Sequence, residues 1–400
     1  MRKIYEMVSF PDNLQHIISQ EYPRFTDTEY LRRRKTFEQK MIANGVSHVL
    51  VRGFLRIGAA IPYFTGWQTT HDAVVLMTPG EELLLFVNHY NHLPMAQMMA
   101  RLTDVRWGGV SAVDSALAEL KVRGGSSSKV GVLGHFTANQ HSKLIAGAGQ
   151  IIDMNGDFTQ QRLIKSEEEH NWMQIGAILS DAGIGAIPEQ LISDMNEYEL
   201  ADAVERSFIR HGAVSQTHYF MINNMQNPKY CVPRQFLSNR KIKKGDIIST
   251  ELSAQYWGYA GQILRTVTVG ANATPLFTDL HDVAMAAFDA ICKIMKPGTR
   301  PEEIIDAANI IEDSGFTIWD DLIHGFGGGY LPPVLGSKSR NIFPYPDMEL
   351  QEGMYIVVQP NVITTDNTAG VQTGEMMRIT AAGCEPVHKY PRGMERVDLD

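Results

Sequence analysis

Glu251 and Gln262 are the residues whose types and spacing first suggest chemistry. They lie eleven apart, separated by Tyr256-Trp257-Gly258-Tyr259, which reads as the turn of a β-hairpin with one side chain on each arm. Two polar groups on paired strands can face one ligand. Gln359 ends the apolar run Tyr355-Ile356-Val357-Val358 directly before Pro360, and Glu375 follows Gly374 at the start of another strand-like segment. Polar groups at such places are costly inside a sheet unless each pairs with another, with a ligand or with water. Spacing alone leaves two readings open: one shared site, or separate residues each satisfied at a sheet surface. His324 precedes Gly-Phe-Gly-Gly-Gly, and these glycines lack the strand-to-helix setting and the spacing of a phosphate loop.

The elements that must carry these residues are legible as strands over 246–256, 262–270, 354–362 and 374–380. Helices are expected between and before them. One begins at Ser166, and the next has Asn196 as N-cap, Glu199 three residues later and Gly212 past its end. Two more run from Leu276 to Met295, stopped by Pro297-Gly298, and from Pro301 to about Ser314. Strands grouped around helix pairs favour an α+β layer arrangement. The first part differs. A charged amphipathic stretch from Thr26 to Asn44 precedes apolar runs at 47–53, 72–78, 82–87 and 129–134, the pattern of an α/β domain with a buried sheet. Asn155-Gly156-Asp157 ends that alternation, so the expected domains are 1–158, a smaller α/β domain, and 159–400.

Composition limits the function classes. The 400 residues are 44% hydrophobic and 20% charged, and the formal charge of −9 offers no broad basic face for nucleic acid. The run Arg32-Arg33-Arg34-Lys35 reads as a solvated helix face. The start is interrupted by Glu6 and Pro11 and supplies no apolar signal-peptide core. No apolar run reaches the ~18 residues of a membrane span. Three widely spaced cysteines, Cys231, Cys292 and Cys384, form neither a disulfide framework nor a metal pair, and Cys231 reads as a buried inert thiol. The expected setting is the cytoplasm.

The run Lys244 to Thr266, with its Gly-Asp, hydrophobic strand, acid, Gly-Tyr turn and Arg-Thr, resembles the pita-bread family of creatinases, prolidases and aminopeptidases. His324-Gly325, Gln359-Pro360 and Glu375 follow in the family's order. The resemblance covers roughly Thr159 to Val397, and the first domain only through Pro62 to Trp67. It implies a C-terminal pita-bread domain preceded by a creatinase-type α/β domain. It also implies a homodimer in which the N-terminal domain covers the partner's site, bringing Tyr63, Trp67 and His71 there as a substrate lid.

Peptidases of this family hold two divalent ions with Asp, Asp, His, Glu and Glu. The matching places here are Glu251, Gln262, His324, Gln359 and Glu375, so two carboxylates stand where four would offset the ionic charge. This implies no two-metal cofactor, while a single ion on Glu251, His324 and Glu375 stays open. The second family histidine of the peptidases falls near Leu331, and the two creatinase landmarks fall on Arg234 and Leu264. The expected catalytic residues are His324, Glu251 and Glu375, with a proton shared between the carboxylates or with Glu251 as nucleophile. Arg234 would clamp a substrate carboxylate, Gln262 and Gln359 would bond substrate nitrogens, and Tyr330 and His218 would stand nearby. The leading expectation is a metal-independent hydrolase of a non-peptide C–N bond in a small nitrogenous metabolite, of the creatinase or ectoine-hydrolase kind. The alternatives are a metal-independent lyase on a small carboxylate, an Xaa-Pro metallopeptidase, and a non-catalytic pita-bread binding module. Neither nucleic acid nor membrane is an expected partner.

Overall fold

The computed structural model describes residues 8–340 and 344–399. The chain divides into two compact units, His16–Arg162, and Leu163–Asp400 with the preceding residues up to Gln15.

In the first unit six strands form a mixed sheet: β1 (His48–Gly53), β2 (Ala73–Met77), β3 (Leu83–Val87), β4 (Thr103–Trp107), β5 (Lys129–Leu133) and β6 (Gln150–Asp153), in the order β4-β3-β2-β1-β5-β6. Every residue of β1, β2 and β3 is buried, as expected of strands covered on both faces. Helix α1 (Asp27–Ala43) starts at Thr26, whose hydroxyl accepts from the Glu29 N–H at 3.2 Å. The basic run on α1 is not a solvated face. Arg32 and Lys35 are exposed, but Arg33 and Arg34 are buried. Arg34 donates to the carbonyls of Phe64, Arg101 and Leu102, and Arg33 lies 3.9 Å over the Phe25 ring and 4.3 Å over that of Tyr63. Loop carbonyls and aromatic faces take the place of water around both guanidiniums.

The second unit is built on a nine-stranded sheet. Its main path uses β7 (Val214–Asn224), β8 (Asp246–Tyr256), β9 (Tyr259–Val269), β10 (Ile323–Phe326), β11 (Tyr330–Leu335), β12 (Tyr355–Val358) and β13 (Gly374–Thr380), ordered β11-β10-β12-β13-β9-β8-β7. Trp257 and Gly258 join β8 to β9 with φ of 49° and 95°, the two left-handed positions of a tight hairpin turn. Helix α2 (Glu167–Gln190) opens with a capping box between Ser166 and Glu169, and α3 (Glu197–Ile209) with one between Asn196 and Glu199. The helix expected from Pro301 to Ser314 is two pieces, Pro301–Ala307 and Ile310–Asp313. Ala308 and Asn309 bond three residues back and interrupt the α-helical ladder.

Register decides which side chains share a face, because residues directly opposite one another across a ladder point the same way. One row runs Leu252, Ile263, Glu375, Val358, Ile323 across β8, β9, β13, β12 and β10. Helix α2 covers this face. Its Gly176 comes so close that an added Cβ would stand 2.6 Å from the Gly261 nitrogen, and one on Gly183 would stand 2.3 Å from Leu252. Ser180 fastens the seam, donating to the Gly261 carbonyl at 2.8 Å and accepting from the Ala254 N–H at 2.9 Å. The opposite face carries Glu251 with Leu264 and Gly374, and His324 with Val357 and Met376. Among the described residues no helix is long and apolar enough to cross a membrane.

Candidate active site

Gln262 links the polar residues of the face turned away from α2. Its Nε2 donates to Glu251 Oε1 at 2.9 Å and to Gln359 Oε1 at 3.0 Å. That pairing fixes the amide's orientation and leaves Gln262 Oε1 buried without a donor. His324, fully buried on β10, sets Nδ1 3.0 Å from the Gly325 carbonyl. A carbonyl only accepts, so Nδ1 carries the hydrogen and Nε2 is a lone-pair acceptor with no partner. The ring stacks on Tyr330, centroids 3.7 Å apart and planes 15° apart. Burial pushes the His324 pKa down to about 4, so the imidazole is neutral at physiological pH.

Two acids that sequence reasoning missed complete the group. Asp320 and Asp321 directly precede Leu322-Ile323-His324. Burial, then the Asp320 charge, raises the Glu251 pKa to about 8, and the same two causes raise Asp321 to about 9. Tyr330 reaches Asp321 Oδ1 with its hydroxyl at 3.5 Å. Gln372, fully buried, donates its Nε2 to Asp320 Oδ2 at 3.3 Å and leaves its own Oε1 unpartnered. The available signal was a pair of adjacent acids at the entry to a buried strand, where a solvated loop would be the ordinary reading.

Several expected residues lie elsewhere. Glu375 stands opposite Ile263, on the α2 side of the sheet. There Arg265 Nη2 donates to its Oε2 at 2.5 Å, while the rest of that guanidinium serves the carbonyls of Leu264, Gly374, Tyr390 and Pro391. The place on β13 that faces the site is Gly374, where a Cβ would stand 2.0 Å from the Val358 carbonyl oxygen. No acid can reach across from it. Arg234 lies opposite Phe220, also on the helix side. It pairs with Glu197 at the start of α3 at 2.5 Å and stacks over Tyr230. His218 faces that side too, bonded to Glu205 of α3 at 2.9 Å and packed edge-on against Phe220. Tyr63 and Trp67 belong to the core of the first unit, Tyr63 packing edge-on against Phe64 and Phe158, so neither is free to act as a lid. His71 of that unit is half-buried and packs on His89 at 4.1 Å.

The sequence profile described as Metallopeptidase family M24 matches residues 171–381, more than half of the chain. The chain belongs to metallopeptidase family M24. Membership places it among hydrolases, and its second unit has the pita-bread fold. It is similar to the Xaa-Pro dipeptidase of Pyrococcus furiosus, 22% identical over 343 residues that span 85% of this chain and 94% of the relative. Among solved structures, the prolidase from Pyrococcus horikoshii OT3 aligns with a TM-score of 0.75 at 22% identity, covering 90% of this chain and 99% of that one. The Xaa-Pro dipeptidase from Bacillus anthracis aligns with a TM-score of 0.79 at 19% identity, covering 92% and 99%. These comparisons correct the leading expectation from the sequence. The relatives are named for Xaa-Pro peptides, and the reading as a hydrolase of a non-peptide C–N bond is withdrawn in favour of the Xaa-Pro peptidase alternative.

The M24 description implies a metal centre, and the side chains present do not fit one. The Gln262 N–H₂ group stands between Glu251 and Gln359, and a donor cannot ligate a cation. Glu375 is on the other face. Among the described residues no three His, Cys, Asp or Glu side chains gather closely enough to hold an ion.

Proposed function

We propose that this M24 member hydrolyses the peptide bond of short peptides, Xaa-Pro dipeptides foremost, by acid–base chemistry on Glu251. The observation that carries the reading is the linked group Glu251, Gln262 and Gln359 beside the neutral His324, all on one buried face. The names of the relatives supply the substrate class.

Each side chain has a task that its bonding leaves it free to perform. Gln359 Nε2 is a buried donor without an acceptor, suited to the carbonyl oxygen on which negative charge develops. Glu251, with a pKa of about 8, is ionised in a useful fraction of molecules near neutral pH. As a water oxygen bonds to the peptide carbon, one water proton passes to the Glu251 carboxylate. When the C–N bond breaks, that proton passes to the departing nitrogen, and Glu251 is restored. The lone pair on His324 Nε2 holds the second hydrogen of the water and orients it.

Incubation of the purified protein with a panel of Xaa-Pro dipeptides, with free proline measured by chromatography, tests the reading. Proline release that falls on the order of 100-fold or more in Glu251→Gln is expected; no release by the unaltered protein from any of the panel would sink it. The homodimer and the cytoplasmic setting belong to the same proposal, and sedimentation velocity reads the first of them.

A further inference from the structure

A cavity of about 460 Å³ lies within the second unit, and no residue of the group around Glu251 lines it. Its walls are the first turns of α2, strands β12 and β13, and β14 (Gly383–Pro386) with 387–389 after it. Register sets Tyr355, Arg378 and Glu385 opposite one another across β12, β13 and β14, so the three side chains point the same way. His170 of α2 brings its Nδ1 to 3.0 Å from the Tyr355 hydroxyl. Two polar atoms of these walls, Arg378 Nε and His388 Nε2, are buried and have no partner. Among the described residues Arg378 has one ion pair, with Glu167 at 3.9 Å, and that glutamate is 93% exposed; such a pair contributes little. The His388 side chain is fully buried, with Nδ1 2.7 Å from Asp181 Oδ1. Asp181 is not part of the lining, so the ring edge that carries Nε2 is the one left toward the cavity. A carboxylate accepts, so Nδ1 carries a hydrogen, and Nε2 of the neutral ring is an acceptor.

The cavity thus presents a permanent cation short of an acceptor and, beside it, an acceptor short of a donor. The other charged residues of its lining are Glu167, Glu168 and Glu385 against Lys389. Three carboxylates count against phosphate or another polyanion, and the fixed charge of Arg378 counts against a simple cation. A molecule with one charge of each sign meets neither objection. We infer that this cavity binds a free α-amino acid as its zwitterion, the carboxylate on Arg378 and the ammonium toward His388 Nε2 and the glutamates of the rim. The planar guanidinium matches a carboxylate, and the three donors of an ammonium suit several acceptors spread around it. Arg378 Nη2 and Glu167 Oε1, 3.9 Å apart, hold opposite charges side by side, as an amino-acid head group does. The site takes no part in peptide cleavage and stands apart from the hydrolase reading.

Calorimetric titration of the full-length protein with L-alanine, sodium propionate and ethylammonium chloride tests the site without any turnover. Alanine is expected to bind saturably and at least tenfold more tightly than propionate, which lacks its ammonium, or ethylammonium, which lacks its carboxylate. Arg378→Gln is expected to weaken alanine at least tenfold, with circular dichroism as the check on folding. Should that variant fail to fold, the double substitution Glu167→Gln with Glu385→Gln decides, because both side chains are exposed; it is expected to abolish the preference for alanine over propionate. No saturable binding of alanine, equal binding of propionate, or alanine binding indifferent to these substitutions overturns the inference. Glu251→Gln is expected to bind alanine as the unaltered protein does; at least tenfold weaker binding there would move the ligand to the candidate active site and overturn it too. Alanine binding at Arg378 without cleavage of any dipeptide upholds the site while the hydrolase reading falls.

Discussion

Glu251 and Glu375 stand on opposite faces of one sheet. Glu251 lies opposite Leu264 on β9, and Glu375 lies opposite Ile263, the neighbouring residue. A step of one residue along a strand reverses the side chain's direction. Glu375 therefore serves Arg265 beneath the sheet, and the site has a single carboxylate on its central strands.

Glu375 is accordingly a stability residue. Glu375→Ala leaves the Arg265 guanidinium charged and buried, at 1% exposure, and removal of one partner of such a pair costs about 3–5 kcal/mol. Chemical denaturation should show this loss, while KM for a dipeptide substrate measured on the folded fraction stays within about twofold of the unaltered protein. A large rise in KM with stability unchanged would return Glu375 to the site.

Metal content gives a second check. After exposure to manganese, cobalt or zinc and dialysis, elemental analysis should find substoichiometric metal. The double substitution Gln262→Asp with Gln359→Glu should not restore two ions per chain, because position 374 admits no side chain beneath the Val358 carbonyl. Two tightly held ions in either protein would contradict the donor arrangement described above.

The Glu251 carboxyl makes stability depend on pH in a defined direction. Its pKa rises from 4.5 to about 8 on folding, so between those values the unfolded chain ionises while the folded one keeps its proton. Folding stability from this group is whole below pH 4.5 and falls as pH rises toward 8. Glu251→Gln removes that dependence. The variant should gain on the unaltered protein across the window by an amount on the order of a few kcal/mol at most, read from denaturation at pH 5 and pH 9.

For His324 the sign is the reverse. Its pKa falls from 6.5 to about 4, so its contribution is whole above pH 6.5 and is lost as pH drops toward 4. His324→Phe keeps a ring against Tyr330 but cannot take up a proton. Its Tm should decline less steeply between pH 6.5 and 4 than that of the unaltered protein; parallel declines would show that the imidazole does not titrate on unfolding.

Much of this architecture is written locally. Capping boxes at Ser166 and Asn196 and the left-handed turn at Trp257-Gly258 need only a few neighbouring residues, and the structure forms each of them. The Glu251, Gln262, Gln359 and His324 group was legible because each residue sits at a strand position that the segment's own pattern defines. Glu375, Arg234 and His218 were misplaced because the face of a strand residue is set by register with its neighbours, and no single segment carries that register. Asp320 and Asp321 are not legible for a related reason: two adjacent acids before a strand read as a solvated loop, and only the tertiary fold buries Asp321. Cys292 and Cys384, far apart in sequence, meet where Cys384 Sγ donates to the Cys292 carbonyl at 3.2 Å.

The backbone seam between α2 and the β8–β9 hairpin makes a rigid wall of one side of the site. With Gly176 against Gly261 and the Ser180 hydroxyl bonded to both strands, backbone lies almost directly on backbone, so the wall bearing Glu251 and Gln262 is held to the helix as one piece. On the proposed peptidase reading, differences in selectivity are expected to arise on the other side of the group, where Asp320, Asp321, Tyr330 and Gln372 stand on shorter strands and loops. Divergence among close homologues should gather on those segments while the hairpin wall stays nearly constant.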